Sequence, residues 1–225
     1  MICFHFLYDL NFFGIITVSL YTGIFFYLAY GTASLFILLF GVSLTLKYQH
    51  LQSKSTTKNP LPLIFIYRGV KIFFLGLIIT FVTYLLIPDR FIIFGILHFI
   101  GIALLISYPF LRHVKENIVL GVIIIIFGWV IRQIGVDFSW GLPIGFIPYG
   151  FSTVDYFPLF PWFGVVLLGI ALGNTIYKNG KRQFHLSKKW LQCPVPLFCF
   201  LGRNSLIIYF FHQPILFALI SVLLI

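Results

Sequence analysis

An ionisable side chain inside an apolar span costs roughly a few kcal/mol to hold in hydrocarbon, so such residues are the first candidates for chemistry. Here they are His5, Asp9, His98 and His212. His5 and Asp9 stand four residues apart. On a continuous helix they share a face, and the carboxylate can orient and charge-stabilise the imidazole for proton transfer. The competing reading is a helix end lying in the polar interface. His98 is three residues from both Gly95 and Gly101, on the small-residue face by which helices meet in membranes. It therefore points into a bundle, either as a base or as a buried histidine bonded to a carbonyl. Ser205, Tyr209 and His212 recur at i, i+4 and i+7. They form a polar stripe that should also face inward, as a site or as hydrogen-bonding glue between helices. Asp155, in DYFPLFPW, stands at the mouth of an apolar run, where the positive end of a helix dipole favours a carboxylate. It is a candidate for catalysis or for orienting substrate.

The elements that must position these groups are transmembrane helices. The chain is 60% hydrophobic and only 9% charged, too few charges to cover a water-facing surface. Several uncharged runs approach the roughly 20 residues a helix needs to cross about 30 Å of hydrocarbon. The apolar segments, of which the first holds Asp9 and the third holds Arg68 and Lys71, fall at about 2–20, 21–46, 63–87, 91–111, 118–131, 159–177 and 204–225. The expected fold is an all-α, polytopic bundle of about seven spans, forming a single transmembrane domain over 1–225. No internal repeat stands out.

The 15 Lys and Arg set an expected orientation, because they are retained in cytoplasmic loops. Lys47, Lys54, Lys58, Arg68, Lys71, Arg112, Lys115, Lys178, Lys181, Arg182, Lys188, Lys189 and Arg203 fall on one side, leaving Arg90 and Arg132 on the other. Asp9, Asp89, Asp137 and Asp155 accompany that second pair. Seven spans then place the N-terminus in the cytoplasm and the C-terminus outside. The start of the chain lacks a basic leader and a clear cleavage site, so it reads as a mature helix. The net charge of +10 lies between apolar runs and does not stripe a soluble element, which argues against nucleic acid.

The connection over 133–155 and on to 161 contains Gly135, Gly141, Pro143, Gly145, Pro148, Gly150, Pro158 and Pro161. It cannot be one helix, and it is too aromatic for a solvated linker. A folded outer lid or re-entrant loop is expected. Gly169 and Gly173 form a GxxxG pair suited to close helix contact. The basic loop 178–189 reads first as topogenic and second as a phosphate-binding surface. Cys3, Cys193 and Cys199 lack disulfide or zinc spacing, and no metal is expected. No Walker loop, GxSxG elbow, HExxH or Rossmann fingerprint appears in a credible context.

Four blocks taken together, MICFHFLYDLNFF, FGILHFIGIALLI, DYFPLFPWFGVVLLGIALG and LGRNSLIIYFFHQPIL, resemble the prokaryotic membrane proteins grouped with the catalytic domain of heparan-α-glucosaminide N-acetyltransferase. The resemblance covers almost the whole chain. The last block also resembles the final helix of the acyltransferase-3 group, which O-acylates envelope glycans. Members usually carry an Arg- and Asp-containing motif just upstream of the block that starts here at Met1, so the first helix reads as cut short. The eukaryotic enzymes hold their active-site histidine in the loop after the first helix. This chain has no His between His5 and His50, so His5 matches the prokaryotic branch by position.

The resemblance implies transfer of an acyl group, typically acetyl from cytoplasmic acetyl-CoA, to a sugar amine or hydroxyl at the opposite face. His5, Asp9, His98, Asp155 and His212 are then the catalytic candidates. Trp140, Tyr156, Trp162, Ser205 and Tyr209 would contact the acceptor, with aromatic rings stacking on a sugar. Lys181, Arg182 and Arg203 would hold the phosphates of the donor. Expected partners are membrane lipid, acyl-CoA and a glycan or glycolipid acceptor, with homo-oligomerisation left open. The rival reading is a transporter or flippase-like carrier that passes a small polar or glycan substrate through the same polar interior. The paired broken helices common in such proteins are not evident.

Overall fold

The structure, a computed structural model, describes residues 2–17, 22–53, 60–178, 181–185 and 195–223. Cys193, Lys54, Lys58, Lys188 and Lys189 lie outside the described residues. The fold is predominantly helical. Its helices are α1 (Ile2–Phe12), α2 (Gly23–Ser53), α3 (Leu61–Leu86), α4 (Ile96–Ser107), α5 (Lys115–Ile131), α6 (Leu159–Ile176), α7 (Val195–Arg203) and α8 (Ser205–Leu223). The described strands are two short pairs, β1 (Gly135–Val136) with β2 (Ile147–Pro148), and β3 (Tyr177–Lys178) with β4 (Lys181–Arg182).

Among the described residues, α2, α3, α6 and α8 are long and apolar enough to cross a membrane. The protein is therefore a membrane protein, but length alone does not extend the count to seven. Local chemistry explains why two apolar runs, the first and the fourth, give shorter helices. The first run ends in a turn at Gly14, whose φ of 72° suits glycine. The fourth run does not become α-helical until Ile96 and passes into a 3-10 turn, Tyr108–Phe110, around Pro109, a residue that cannot donate to a continuing helix. The fifth run instead begins earlier than expected, at Lys115, and gives the 17 residues of α5.

The chain divides into two compact units, Met1–Leu35 with Phe184–Ile225, and Phe36–Gln183. In the second unit glycines let helix backbones meet. Gly69 of α3 faces the carbonyl of Gly101 on α4, where an added Cβ would lie 2.7 Å away. Gly121 of α5 and Gly164 of α6 oppose each other in the same manner. The GxxxG residues of α6 meet α2, with Gly169 against Gly41 and Gly173 against Thr45. Thr45 adds a hydroxyl bond to the Ile170 carbonyl at 3.2 Å. Ile37, Phe99, Leu111, Val166, Leu167 and Ile170 fill this core, while Phe74, Phe81, Leu85, Ile126 and Trp129 are exposed. Apolar side chains thus cover the outside as well as the inside, as lipid contact requires.

The connection between α5 and α6 is folded, as the glycine and proline pattern predicts. The amides of Leu159 and Phe160 bond to the carbonyls of Pro143 and Ile144 at 2.8 and 3.0 Å. Val154 and Phe157 donate to Arg90 and Phe94, and Leu142 is buried.

Candidate functional site

The first unit contains the most unusual polar contact. From α1 into the turn that follows it, His5, Asp9 and Phe13 succeed one another at four-residue intervals, the spacing of one helix face. They meet His212, Gln213 and Phe217 of α8. The His5 and His212 rings lie edge-on with centroids 4.9 Å apart, and Phe13 and Phe217 meet at 4.9 Å. Gln213 Nε2 donates to Asp9 Oδ1 at 2.7 Å. Asp9 is 1% exposed and is the one buried residue on α1. Phe4, Leu7 and Leu10 are only half-buried, so the one fully buried side chain of α1 is a carboxylate held by a polar contact.

His212 Nδ1 faces the carbonyls of Tyr209 and Ile208 at 2.7 and 3.2 Å. That contact assigns the proton to Nδ1 and the lone pair to Nε2. His212 Nε2, Asp9 Oδ2 and Gln213 Oε1 are buried without a hydrogen-bond partner among the described residues. A contact rich in open acceptors suits a ligand that donates hydrogen bonds, and a free imidazole lone pair suits proton abstraction. The expected Asp9 bond to His5 is not formed, since the carboxylate is engaged by Gln213 instead. Tyr209 lies beside His212 with ring centroids 5.8 Å apart, while Ser205 and Arg203 are exposed.

His98 and Asp155 come together in the second unit, at the start of α4. His98 is 2% exposed. Its Nδ1 accepts the Gly95 amide at 3.3 Å, and its Nε2 contacts Thr80 Oγ1 at 3.3 Å. Phe73 and Phe94 flank the ring at 5.4 and 5.7 Å, and Gly76 leaves the space it occupies. Both nitrogens are engaged, so His98 ties α3 to the start of α4. Asp155 Oδ2 accepts the Ile96 amide at 2.9 Å, and Thr153 bonds the Phe91 carbonyl at 2.8 Å. The segment before α6 is thereby fastened to the first turn of α4, where a carboxylate is favoured.

Burial pushes the Asp155 carboxyl up to about 6, against which the Ile96 amide pulls it down. A folded value above the unfolded one of 3.8 means the folded state binds the proton more tightly. The stabilisation is present below about pH 4 and is lost as pH rises through about 6. It is worth up to about 3 kcal/mol. Melts followed by tryptophan fluorescence should therefore show wild type gaining stability from pH 7 to 5 relative to Asp155→Asn, whose amide oxygen still accepts from Ile96.

The aromatic candidates divide by environment. Trp140 is 73% exposed and stacks on Phe138 with centroids 4.4 Å apart. Trp162 is buried against Phe157, and the Tyr156 hydroxyl donates to the Leu142 carbonyl at 2.8 Å. Lys181 and Arg182 are exposed on β4. Sequence reasoning missed Gln213, Thr80 and Gly76. The signal for Gln213 was available, because Asp9 in an apolar helix needs a partner and Gln213 adjoins His212 on the facing polar stripe.

No curated protein and no solved structure matches the chain. A sequence family described as heparan-alpha-glucosaminide N-acetyltransferase, catalytic, matches residues 1–214. The chain belongs to this family of acetyltransferase-type membrane enzymes.

Proposed function

We propose that the protein moves an acetyl or other acyl group from cytoplasmic acyl-CoA to an amine or hydroxyl of an amino sugar or cell-envelope glycan on the opposite face. The observation that carries this reading is the α1–α8 contact, with paired imidazoles beside a buried carboxylate and an open lone pair on His212 Nε2. In the proposed step the acceptor's N–H or O–H proton passes to His212 Nε2 while its heteroatom attacks the thioester carbonyl. The C–S bond then breaks, and the departing thiolate takes up a proton. His5 relays the proton, and Asp9 compensates the positive charge on the imidazoles.

Lys181, Arg182 and Arg203 are assigned to the donor phosphates, and Trp140 to stacking on the sugar. Tyr156 and Trp162 are candidates for acceptor contact, and Ser205 and Tyr209 of α8 are separate candidates. Asp155 and His98 position the segment leading to α6. The basic loops face the cytoplasm in this reading, with the N-terminus inside, the C-terminus outside and one transmembrane domain of about seven spans.

The test uses the full chain in lipid nanodiscs with acetyl-CoA and a cell-envelope glycan extract. Release of free thiol that depends on the extract is expected. Extract components that bind and cross proteoliposomes without thiol release would replace this reading with a carrier.

A further inference from the structure

Arg112 occupies an unusually rigid setting for an exposed arginine. The turn that carries it is tied down on both sides. Asn117 Nδ2, from a fully buried side chain, donates to the carbonyls of Phe110 and His113. The Leu111 carbonyl accepts Asn174 Nδ2 at 2.9 Å. Arg112 Nε donates to the Tyr48 hydroxyl, and its guanidinium carbon lies 5.5 Å from that ring's centroid. Tyr48 is itself buried, and its hydroxyl accepts Gln52 Nε2 at 2.8 Å. One edge of the guanidinium is therefore pinned. Its two terminal nitrogens have no hydrogen-bond partner among the described residues and meet no carboxylate.

Further positive charge is gathered by the same network. Gln49, next to Tyr48, donates to the Tyr177 carbonyl at 3.1 Å and to Asn174 Oδ1 at 3.3 Å. This fastens α2 to the β3–β4 hairpin, where Lys178 pairs with Lys181 and Tyr177 with Arg182. Lys115 follows Arg112 by three residues at the start of α5. None of Lys115, Lys178, Lys181 or Arg182 has an ion-pair partner among the described residues. Glu116, in the first turn of α5, neutralises none of them by an ion pair.

A fixed guanidinium fork whose two terminal nitrogens are open, linked through Leu111, Asn174 and Gln49 to the hairpin that carries the unpaired cations, suits an anion that is multiply charged and accepts two parallel hydrogen bonds. We infer that Arg112, held by Tyr48 and Gln52 and joined through the Asn174–Gln49 network to the β3–β4 hairpin, forms a binding site for a phosphate group. Because the fork is ordered before binding, little side-chain entropy is lost when the ligand arrives. The phosphate belongs to a nucleotide-type ligand or to an anionic lipid headgroup. The site deepens the acyltransferase reading by adding Arg112, Tyr48 and Gln52 to the donor side, but the phosphate contact itself does not require acyl transfer.

The experiment measures calorimetric binding of adenosine 3′,5′-bisphosphate to the full chain in phosphatidylcholine nanodiscs. In parallel it measures retention of phosphatidylglycerol by native mass spectrometry. Arg112→Gln should weaken one of these by about tenfold or more, the scale of a lost charge-assisted pair. Arg112→Lys should recover part of the loss, since it restores the charge without the fork. Tyr48→Phe should weaken binding severalfold although every cation remains, which a simple loss of charge would not do.

An Arg112-dependent bisphosphate signal identifies a nucleotide ligand, and an Arg112-dependent lipid signal alone identifies a headgroup. Binding of both probes unchanged in a folded Arg112→Gln protein overturns the site. If that variant does not fold, the double variant Lys181→Gln, Arg182→Gln on the exposed hairpin must lower binding, and unchanged binding overturns the site equally. Loss of acyl transfer with Arg112-dependent binding intact would count against the catalytic reading and leave this site standing.

Discussion

His212→Ala should lower acyl-transfer turnover about 10²-fold to 10⁴-fold, the contribution of a positioned general base. The expectation rests on how the two ring nitrogens are used. Nδ1 is committed to the Tyr209 and Ile208 carbonyls, which leaves Nε2 as a buried lone pair without a partner among the described residues. His5→Ala should cost less, because His5 reaches the reacting proton through His212, at 4.9 Å between ring centroids. Asp9→Asn should also cost less than His212→Ala, since an amide oxygen can still accept from Gln213. The double variant His5→Ala, His212→Ala should be far from additive, as expected of groups acting as one unit. Turnover per folded molecule, after folding is checked by size exclusion, is the measurement. Full activity in His212→Ala with a large loss in His5→Ala would move the base to His5.

His98→Ala should act on stability instead, lowering it by about 2–4 kcal/mol. The substitution removes the acceptor of the Gly95 amide and the partner of Thr80, and it leaves a cavity between Phe73 and Phe94. Turnover of the molecules that remain folded should stay within a few-fold of wild type. Thermal melts and turnover per folded molecule separate the two effects. An unchanged melt together with a turnover loss of about 100-fold, within the range of a catalytic base, would make His98 a chemical participant.

Much of this arrangement was legible in the sequence because lipid makes polarity conspicuous. His5, Asp9, His98 and His212 stood out against apolar runs; of the expected inward stripe of Ser205, Tyr209 and His212, His212 meets α1 and Tyr209 packs beside it, but Ser205 is exposed. The GxxxG pair and the folded connection before α6 were legible for related reasons, since close backbone approach needs glycine and prolines forbid a long helix. What local spacing did not reveal was the choice of partner. The i, i+4 relation of His5 and Asp9 favoured a bond within α1, but a tertiary donor from Gln213 takes the carboxylate. His98 was placed correctly in the interior, yet its engagement by Gly95 and Thr80 depends on how α3 lies against α4. Hydropathy also overstates helix length, because it does not register the turn at Gly14 or the 3-10 segment around Pro109.

The most direct test of the account is sidedness of transfer. The full chain is reconstituted into proteoliposomes in one orientation, with radiolabelled acetyl-CoA supplied only on the side of the β3–β4 hairpin and the glycan acceptor only on the other. Label on the acceptor across an intact bilayer is expected, with free CoA left on the hairpin side and both signals reduced by His212→Ala. Label appearing only when donor and acceptor share one side, or acceptor crossing the bilayer unlabelled, would contradict it.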